Sequence, residues 1–144
     1  MSARIGNPAL ITAAAAALGG ASGRTYALNN PTWILFVSSV LTWVATATVG
    51  SRNPVLRFLD PSGNIVLHMI GGAASLVTAG TTTRLLLSSV LQGISTNTVP
   101  AQQLMAFLAG GGLSLPPFSS FVVFDASNID PADTLQLNSL IFSY

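Results

Sequence analysis

The sequence of 144 residues contains no cysteine, no lysine and no glutamate, and charged residues make up only 6% of it. An average soluble domain is about 25% charged. The absence of cysteine excludes disulfides, thiolate metal sites and cysteine nucleophiles, and the absence of lysine excludes a Walker phosphate-binding loop. The formal net charge of +1 offers no basic surface for nucleic acid or an anionic membrane, so neither is expected as a partner.

Groups for acid–base or nucleophilic catalysis are equally scarce. His68 is the single histidine, and no serine stands in a Gly-x-Ser-x-Gly elbow. The sequence therefore does not favour a Ser-His-Asp catalytic triad. Since His68 alternates with apolar Leu67 and Met69 and has no carboxylate near it in sequence, we expect a structural role on a strand face. The sequence therefore predicts a protein without enzymatic activity, catalytic residues, cofactor or metal.

Most residues of the chain are apolar or have small side chains. Half of the residues are hydrophobic and 13 are glycine, which supplies a core for one domain and excludes disorder of the whole chain. Free monomers usually keep a net charge for solubility, and the cores of protein interfaces are depleted of charge. The composition thus favours a self-associating subunit of an assembly over a solitary enzyme.

The N-terminal region predicts a separate arm and linker over residues 1–30. Pro8 to Leu18 reads as an alanine-rich helix, because Asn7 suits the N-cap, Pro8 suits the first helical position and Gly19 ends the pattern. So short a helix is marginal alone in water, so we expect it to dock on its own domain or on a neighbour. The expected contact residues of this arm are Ala9, Leu10, Ile11 and Leu18.

The uncharged segment from Pro31 to Gly50 is long enough to cross a bilayer as a helix, which would make the chain a small integral membrane protein. Its finer pattern favours a strand instead. From Leu41 to Val49 the residues alternate with one exception, and Val, Thr and Trp favour strands. No Lys or Arg cluster flanks the segment to set a membrane topology. We therefore expect one long strand, or two joined near Ser38-Ser39, with the membrane helix as the alternative.

The remaining sequence alternates short apolar runs with turn residues. Asp60 to Asn64 predicts a hairpin turn, Val99 to Leu108 either a short helix or a loop, and Asn128 to Asp133 a tight acidic turn. Seven or eight strands without a strand–helix–strand rhythm predict an all-β antiparallel sandwich or jelly roll spanning residues 31–144. Trp33 and Trp43 are both expected in its core.

Three aspartates near the C-terminal turn form the main candidate site, and three interpretations stay open. Asp125, Asp130 and Asp133 could bind calcium through carboxylate oxygens. They could instead cap backbone N–H groups of a solvated turn. In the third interpretation, an aspartate pairs with Arg52 or Arg57 and fixes the register of two strands or two subunits.

Two short motifs carry a family resemblance. Thr48 to Pro54 follows the pattern T-V-x-x-R-x-P, and Asn128 to Asp133 follows N-I-D-x-x-D; the Asp60–Asn64 turn and Ala79–Thr82 accompany them. Together they resemble small virion proteins of tailed bacteriophages. The resemblance implies a structural protein without catalytic residues, and the expected location is the virion, at the capsid surface or in the shell.

The expected role is a decoration (cement) or minor capsid subunit, whose partners are the major capsid protein, other virion proteins and sibling copies. A tail or head–tail connector protein is the alternative within the virion, and a sugar-binding jelly roll is another. Beside the arm residues, Arg52, Asp130 and Asp133 are expected to set the registry of the interfaces.

Overall fold

The computed structural model describes residues 8–19, 22–70, 77–88, 102–107 and 113–143, and these residues form ten strands and no α-helix. The strands in chain order are β1 (Pro8–Ala17), β2 (Arg24–Ala27), β3 (Ile34–Val44), β4 (Pro54–Leu59), β5 (Ile65–Ile70), β6 (Thr82–Ser88), β7 (Gln102–Phe107), β8 (Leu113–Leu115), β9 (Ser120–Asp125) and β10 (Thr134–Ser143). The expectation of an all-β chain is confirmed.

The strands form two sheets. The larger has the order β1-β10-β3-β6-β7, with β8 also paired to β3, and the smaller has the order β2-β9-β4-β5. All pairings are antiparallel except that of β6 with β7, which is parallel. With β7 and β8 set aside, the orders β1-β10-β3-β6 and β2-β9-β4-β5 are those of an eight-stranded jelly roll.

The core lies between the inner faces of the two sheets. Phe58 of β4 bridges it, with its ring 5.1 Å from that of Phe36 on β3 and 4.9 Å from that of Phe121 on β9. All three side chains are buried, and Trp43 of β3 joins them. Trp33 is 62% exposed, so the expectation that both tryptophans lie in the core is wrong for Trp33.

The expected N-terminal helix is wrong, because residues 8–17 form an edge strand along β10. Burial along β1 alternates at Ala9, Leu10, Ile11 and Thr12, as one face of a strand requires. Helix propensity is a weak preference, and here the hydrogen bonds to β10 outweigh it. Residues 8–17 and 24–27 therefore belong to the two sheets, and Leu18 is fully buried. Deleting residues 1–20 would remove a strand, so the fold is not expected to survive it.

Two further helix interpretations fail in the same way. Within the segment 31–50, residues 34–44 form β3, paired with β10 on one side and with β6 and β8 on the other. Within 99–108, the described residues 102–107 form β7 beside β6. In both places a neighbouring strand supplies the backbone partners that decide the conformation. Among the described residues, no helix has the length and apolar character to cross a bilayer.

The expected hairpin is confirmed between β4 and β5. The Asp60 carboxylate accepts hydrogen bonds from the backbone N–H groups of Ser62 and Asn64, and Gly63 takes the positive φ of 84° that the turn needs. On β5, His68 is exposed and pairs across the ladder with Arg57 of β4.

Candidate functional site

A buried arginine organises one end of the sandwich. Arg52, in the connection between β3 and β4, is fully buried although it is charged. Its Nε atom lies 2.7 Å from Oδ2 of Asp133, and its Nη2 atom lies 3.0 Å from Oδ1 of the same carboxylate. This two-pronged contact matches the planar guanidinium to the planar carboxylate. The pairing of Arg52 that the sequence left as one option is therefore present, with Asp133 as its partner.

The remaining donors of Arg52 hold the backbone of its own connection. Nη1 donates to the carbonyl oxygens of Thr48 at 2.8 Å and Gly50 at 2.7 Å. Nη2 also donates to Oγ1 of Thr46 at 3.0 Å. Every guanidinium nitrogen thus has a partner, which a buried charge requires. Residues 46–50 are wrapped around the side chain and fixed by it.

The Asp133 carboxylate accepts further hydrogen bonds. Trp43 Nε1 donates to Oδ2 at 3.1 Å, and the backbone N–H of Thr46 donates to Oδ1 at 2.9 Å. Burial raises the pKa of Asp133, but the hydrogen bonds from Arg52, Thr46 and Trp43 and the charge of Arg52 outweigh it, so the pKa lies below its ordinary value. The carboxylate is therefore ionised and fully partnered in the folded protein.

Asp130 forms a second carboxylate centre beside the first. Its Oδ2 atom accepts hydrogen bonds from the hydroxyls of Thr46 and Thr48, both at 2.6 Å, and its Oδ1 atom accepts one from the N–H of Ala132 at 2.9 Å. These bonds, the two threonine hydroxyls first, lower the pKa of Asp130 from 3.8 to about 2. We call Thr46, Thr48, Arg52, Asp130 and Asp133 the polar clasp.

Asp125 has a different set of donors. The backbone N–H groups of Asn53 (2.8 Å), Ser127 (2.9 Å) and Ile129 (2.9 Å) all point at its carboxylate. Capping of backbone N–H groups, one of the three interpretations left open, is thus seen at Asp125 and Asp130. In the described part of the chain, no three acidic or histidine side chains gather to hold a metal ion.

The polar clasp joins segments that are far apart in sequence. The N–H of Leu18, just after β1, donates to the carbonyl of Asp133 at 2.6 Å, and Arg52 exchanges two backbone hydrogen bonds with Val77. Gly50 has a φ of +133°, and a Cβ atom there would lie 2.9 Å from Ile129 Cδ1. Glycine is favoured at this position because other residues rarely adopt such a φ, whereas the flexible end of the Ile129 side chain can move aside.

The clasp explains the two sequence motifs. The threonine and arginine of T-V-x-x-R-x-P meet both aspartates of N-I-D-x-x-D. Sequence reasoning missed Trp43 and Thr46, since alternation predicted only that Trp43 points inward and nothing distinguished Thr46 from the other threonines. Arg57 was the other expected partner; its guanidinium instead stacks on the ring of Phe124, 4.3 Å from the ring centroid.

The other expected contact residues are dispersed. Ala9 and Ile11 pack partly buried against the core, and Leu18 is completely inside it. Leu10 is 63% exposed on the outer face of β1. Of these four residues only Leu10 is mostly exposed, and the expected role of the four in contacts with a partner stays a prediction.

The low pKa of Asp130 predicts acid sensitivity with a definite sign. The unfolded carboxyl titrates near pH 4 and the folded one near pH 2, so its stabilising effect is complete above about pH 4 and is lost as the pH falls toward 2. We expect the parent protein to lose stability over this interval more steeply than Asp130→Asn. Urea midpoints measured from pH 6 to pH 2 check this.

A second variant tests the cause of the low pKa. Thr48→Val removes one hydroxyl donor to Asp130, so the folded pKa should move toward the unfolded value, and the loss of stability between pH 4 and pH 2 should be smaller than in the parent. Identical pH profiles for the parent, Asp130→Asn and Thr48→Val would contradict the assignment.

Fold and site together define an eight-stranded jelly roll closed at one end by a buried ion pair. No protein-family model and no curated protein matches the chain. Among solved structures it is similar to the VP2 subviral particle of infectious bursal disease virus, with a TM-score of 0.46 and 15% identity over 99% of this chain and 34% of that one. It is also similar to a structure of the Gt strain of that virus, with a TM-score of 0.42 and 14% identity over 98% of this chain and 33% of that one.

The chain spans about a third of the length of these neighbours. At such identities and TM-scores, its function has to be argued from its own residues.

Proposed function

We propose that this protein is a structural subunit of a virus particle, packed in the shell against copies of itself and other virion proteins. The observation that carries the proposal is a jelly roll with very few charged residues, in which every aspartate has hydrogen-bond partners within the chain. Jelly rolls occur in viral capsid proteins, although other classes of protein share the fold.

The acidic residues illustrate this use of charge. The sequence has four, and each accepts hydrogen bonds within the chain: Asp60 in its hairpin, Asp125 from backbone N–H groups, Asp130 from threonines and Asp133 from Arg52. The formal net charge is only +1, so charge repulsion between copies is weak. Such a surface favours association over a dispersed monomer.

The larger sheet offers the surface for this association. Its six strands contain one charged residue, Arg84 on β6. Its outer face carries hydroxyls, amides and apolar side chains, among them Leu10, Leu35 and Val44, all exposed. Interface cores have the same depletion of charge. We infer that neighbouring subunits cover part of this face.

Within the particle we propose a decoration or minor capsid subunit, as the resemblance to tailed-phage virion proteins implies, with no enzymatic activity and no nucleic acid partner. A tail or head–tail connector subunit is the alternative. Copy number separates them, since a closed connector ring holds about six or twelve copies, whereas a shell subunit is present in numbers on the order of hundreds.

The test is quantitative mass spectrometry of purified particles combined with cryo-EM. Hundreds of copies located on the shell would support the proposal, and six or twelve at one vertex would favour the connector. Absence of the chain from every particle fraction would refute a virion role.

A further inference from the structure

Two exposed aromatic residues stand at the end of the sandwich opposite the polar clasp. Trp33 precedes β3 and is 62% exposed, and Phe118 lies between β8 and β9 and is 58% exposed. Their connections touch, because the N–H of Phe118 donates to the carbonyl of Asn30 at 2.8 Å. We call Trp33 and Phe118 the aromatic platform.

The backbone holds Phe118 outward at a cost. Its φ is +57°, in the left-handed region that bulky residues rarely adopt. Hydrogen bonds from Leu28 N to Ser119 O (3.0 Å) and from Ser119 Oγ to Pro116 O (2.7 Å) keep the turn in place. Strain of this kind persists where surrounding structure enforces it, and it concentrates at binding sites. The turn at residues 116–119 therefore holds the ring of Phe118 at the surface.

A single apolar side chain stands out at the other end. Val49 is 90% exposed, and the carbonyls on either side of it, of Thr48 and Gly50, both accept hydrogen bonds from buried Arg52. Close packing of Gly50 on Ile129 fixes the same segment. Because this apolar tip is already rigid, binding it costs little conformational entropy.

We propose that Val49 of one copy of this chain docks on Trp33 and Phe118 of the next copy, in a head-to-tail contact. The proposal rests on the self-association contained in the proposed function. Such a heterologous contact repeats from copy to copy and closes into rings or extends through a lattice. Aromatic residues, Trp above all, are the side chains most often responsible for binding energy at interfaces.

Charge supports a second copy as the occupant. The tip segment 45–51 and the platform connections 28–33 and 116–119 contain no charged residue, so the two ends meet without burying or opposing charges. An acidic or basic partner would find no counter-charge in these segments.

The platform also suits a protein side chain better than a sugar. Asn30 Oδ1 accepts hydrogen bonds from the backbone N–H and the hydroxyl of Thr32, and Ser119 Oγ donates to Pro116 O. These polar groups are engaged within the turns, whereas a sugar site needs polar groups that converge on the ligand.

The size of the contact fits a lattice. The end of two four-stranded layers, with strands about 4.8 Å apart and sheets about 10 Å apart, presents on the order of 400 Å². A stable dimer buries about 800 Å² per partner. One contact is therefore weak, and repetition around a ring or shell makes it effective.

Cysteine cross-linking tests the contact, because the sequence contains no cysteine of its own. Thr32 and Ser51 are both exposed, and Thr32→Cys and Ser51→Cys keep Trp33, Phe118 and Val49. Mixed and treated with a short bis-maleimide at high protein concentration, these two variants should give a 32–51 cross-linked dimer. Thr25→Cys, exposed on the smaller sheet, replaces Thr32→Cys as the matched control and should give a much lower yield.

A second step removes the tip. Val49→Asp in the Ser51→Cys chain should lower the yield of the 32–51 product roughly tenfold or more, with an unchanged melting temperature because the side chain is exposed. Phe118→Asp in the Thr32→Cys chain should do the same.

The outcomes separate this contact from the proposed function. If the parent self-associates in sedimentation but the mixed cysteine variants give only 51–51 products, or a 32–51 yield equal to that of the Thr25→Cys control, the head-to-tail contact is refuted and the proposed function stands. If the parent remains monomeric at millimolar concentration and the cysteine variants give no cross-link, the head-to-tail contact and the self-association contained in the proposed function are both refuted. A 32–51 product lost with Val49→Asp supports both.

Discussion

Replacing Asp133 with alanine is expected to lower the free energy of unfolding by about 3–5 kcal/mol. The substitution leaves Arg52 fully buried and without its carboxylate, and it also removes the acceptor for Trp43 Nε1 and for the N–H of Thr46. A domain of this size has a total stability of about 5–15 kcal/mol, so the variant should lose a large fraction of it. Urea denaturation followed by tryptophan fluorescence measures the loss.

Two controls distinguish the buried pair from a general effect of removing an aspartate. Asp60→Ala deletes a carboxylate that caps an exposed hairpin and should cost about 1 kcal/mol. In Asp133→Leu combined with Arg52→Met no charge is left unpaired, so the double variant should be more stable than Asp133→Ala. A loss at Asp133→Ala no larger than that at Asp60→Ala would show that the ion pair does not organise this end of the sandwich.

Replacing Phe58 with alanine is expected to cost a similar amount, about 3–5 kcal/mol, for a different reason. The ring is fully buried and contacts aromatic rings in both sheets, so its removal leaves a cavity where the two layers meet. This expected loss includes the ring–ring contacts, which contribute about 0.5–1.5 kcal/mol for each pair.

The matched control is Trp33→Ala, which removes a larger ring that is mostly exposed. It should change the stability by about 0.5 kcal/mol or less. Both variants are compared with the parent by urea denaturation at pH 7. Equal effects of Phe58→Ala and Trp33→Ala would contradict the placement of the core.

How far the sequence predicts this fold depends on the kind of signal at each place. Alternation in β3 and β10 and the turn at Asp60 are local signals, and they predicted strands and hairpin correctly. The alanine run of β1 has no periodic pattern of its own, and its conformation is decided by β10, more than a hundred residues away. The same holds for β7, which follows its neighbour β6 and not its own helical pattern.

The sequence likewise predicted some features of the candidate site and missed others. The sequence alone identified three candidate site residues, Arg52, Asp130 and Asp133, because charged residues are rare in this chain. Their assignment to one cluster could not be predicted, since it requires the connection after β3 to meet the connection after β9. Thr46 contributes its N–H as well as its hydroxyl, and a backbone donor leaves no mark in the sequence.

The pairing of β1 with β10 has a consequence for synthesis on the ribosome. Translation is directional, so residues 8–17 emerge from the ribosome more than a hundred residues before their partners at 134–143. Until those partners have emerged, β1 has no strand to pair with in the larger sheet and Arg52 has no Asp133 carboxylate to bind. Contacts of such high sequence separation also slow folding. A chain that ends before residue 133 would lack both β10 and the Asp133 carboxylate, so β1 and Arg52 would remain without their partners.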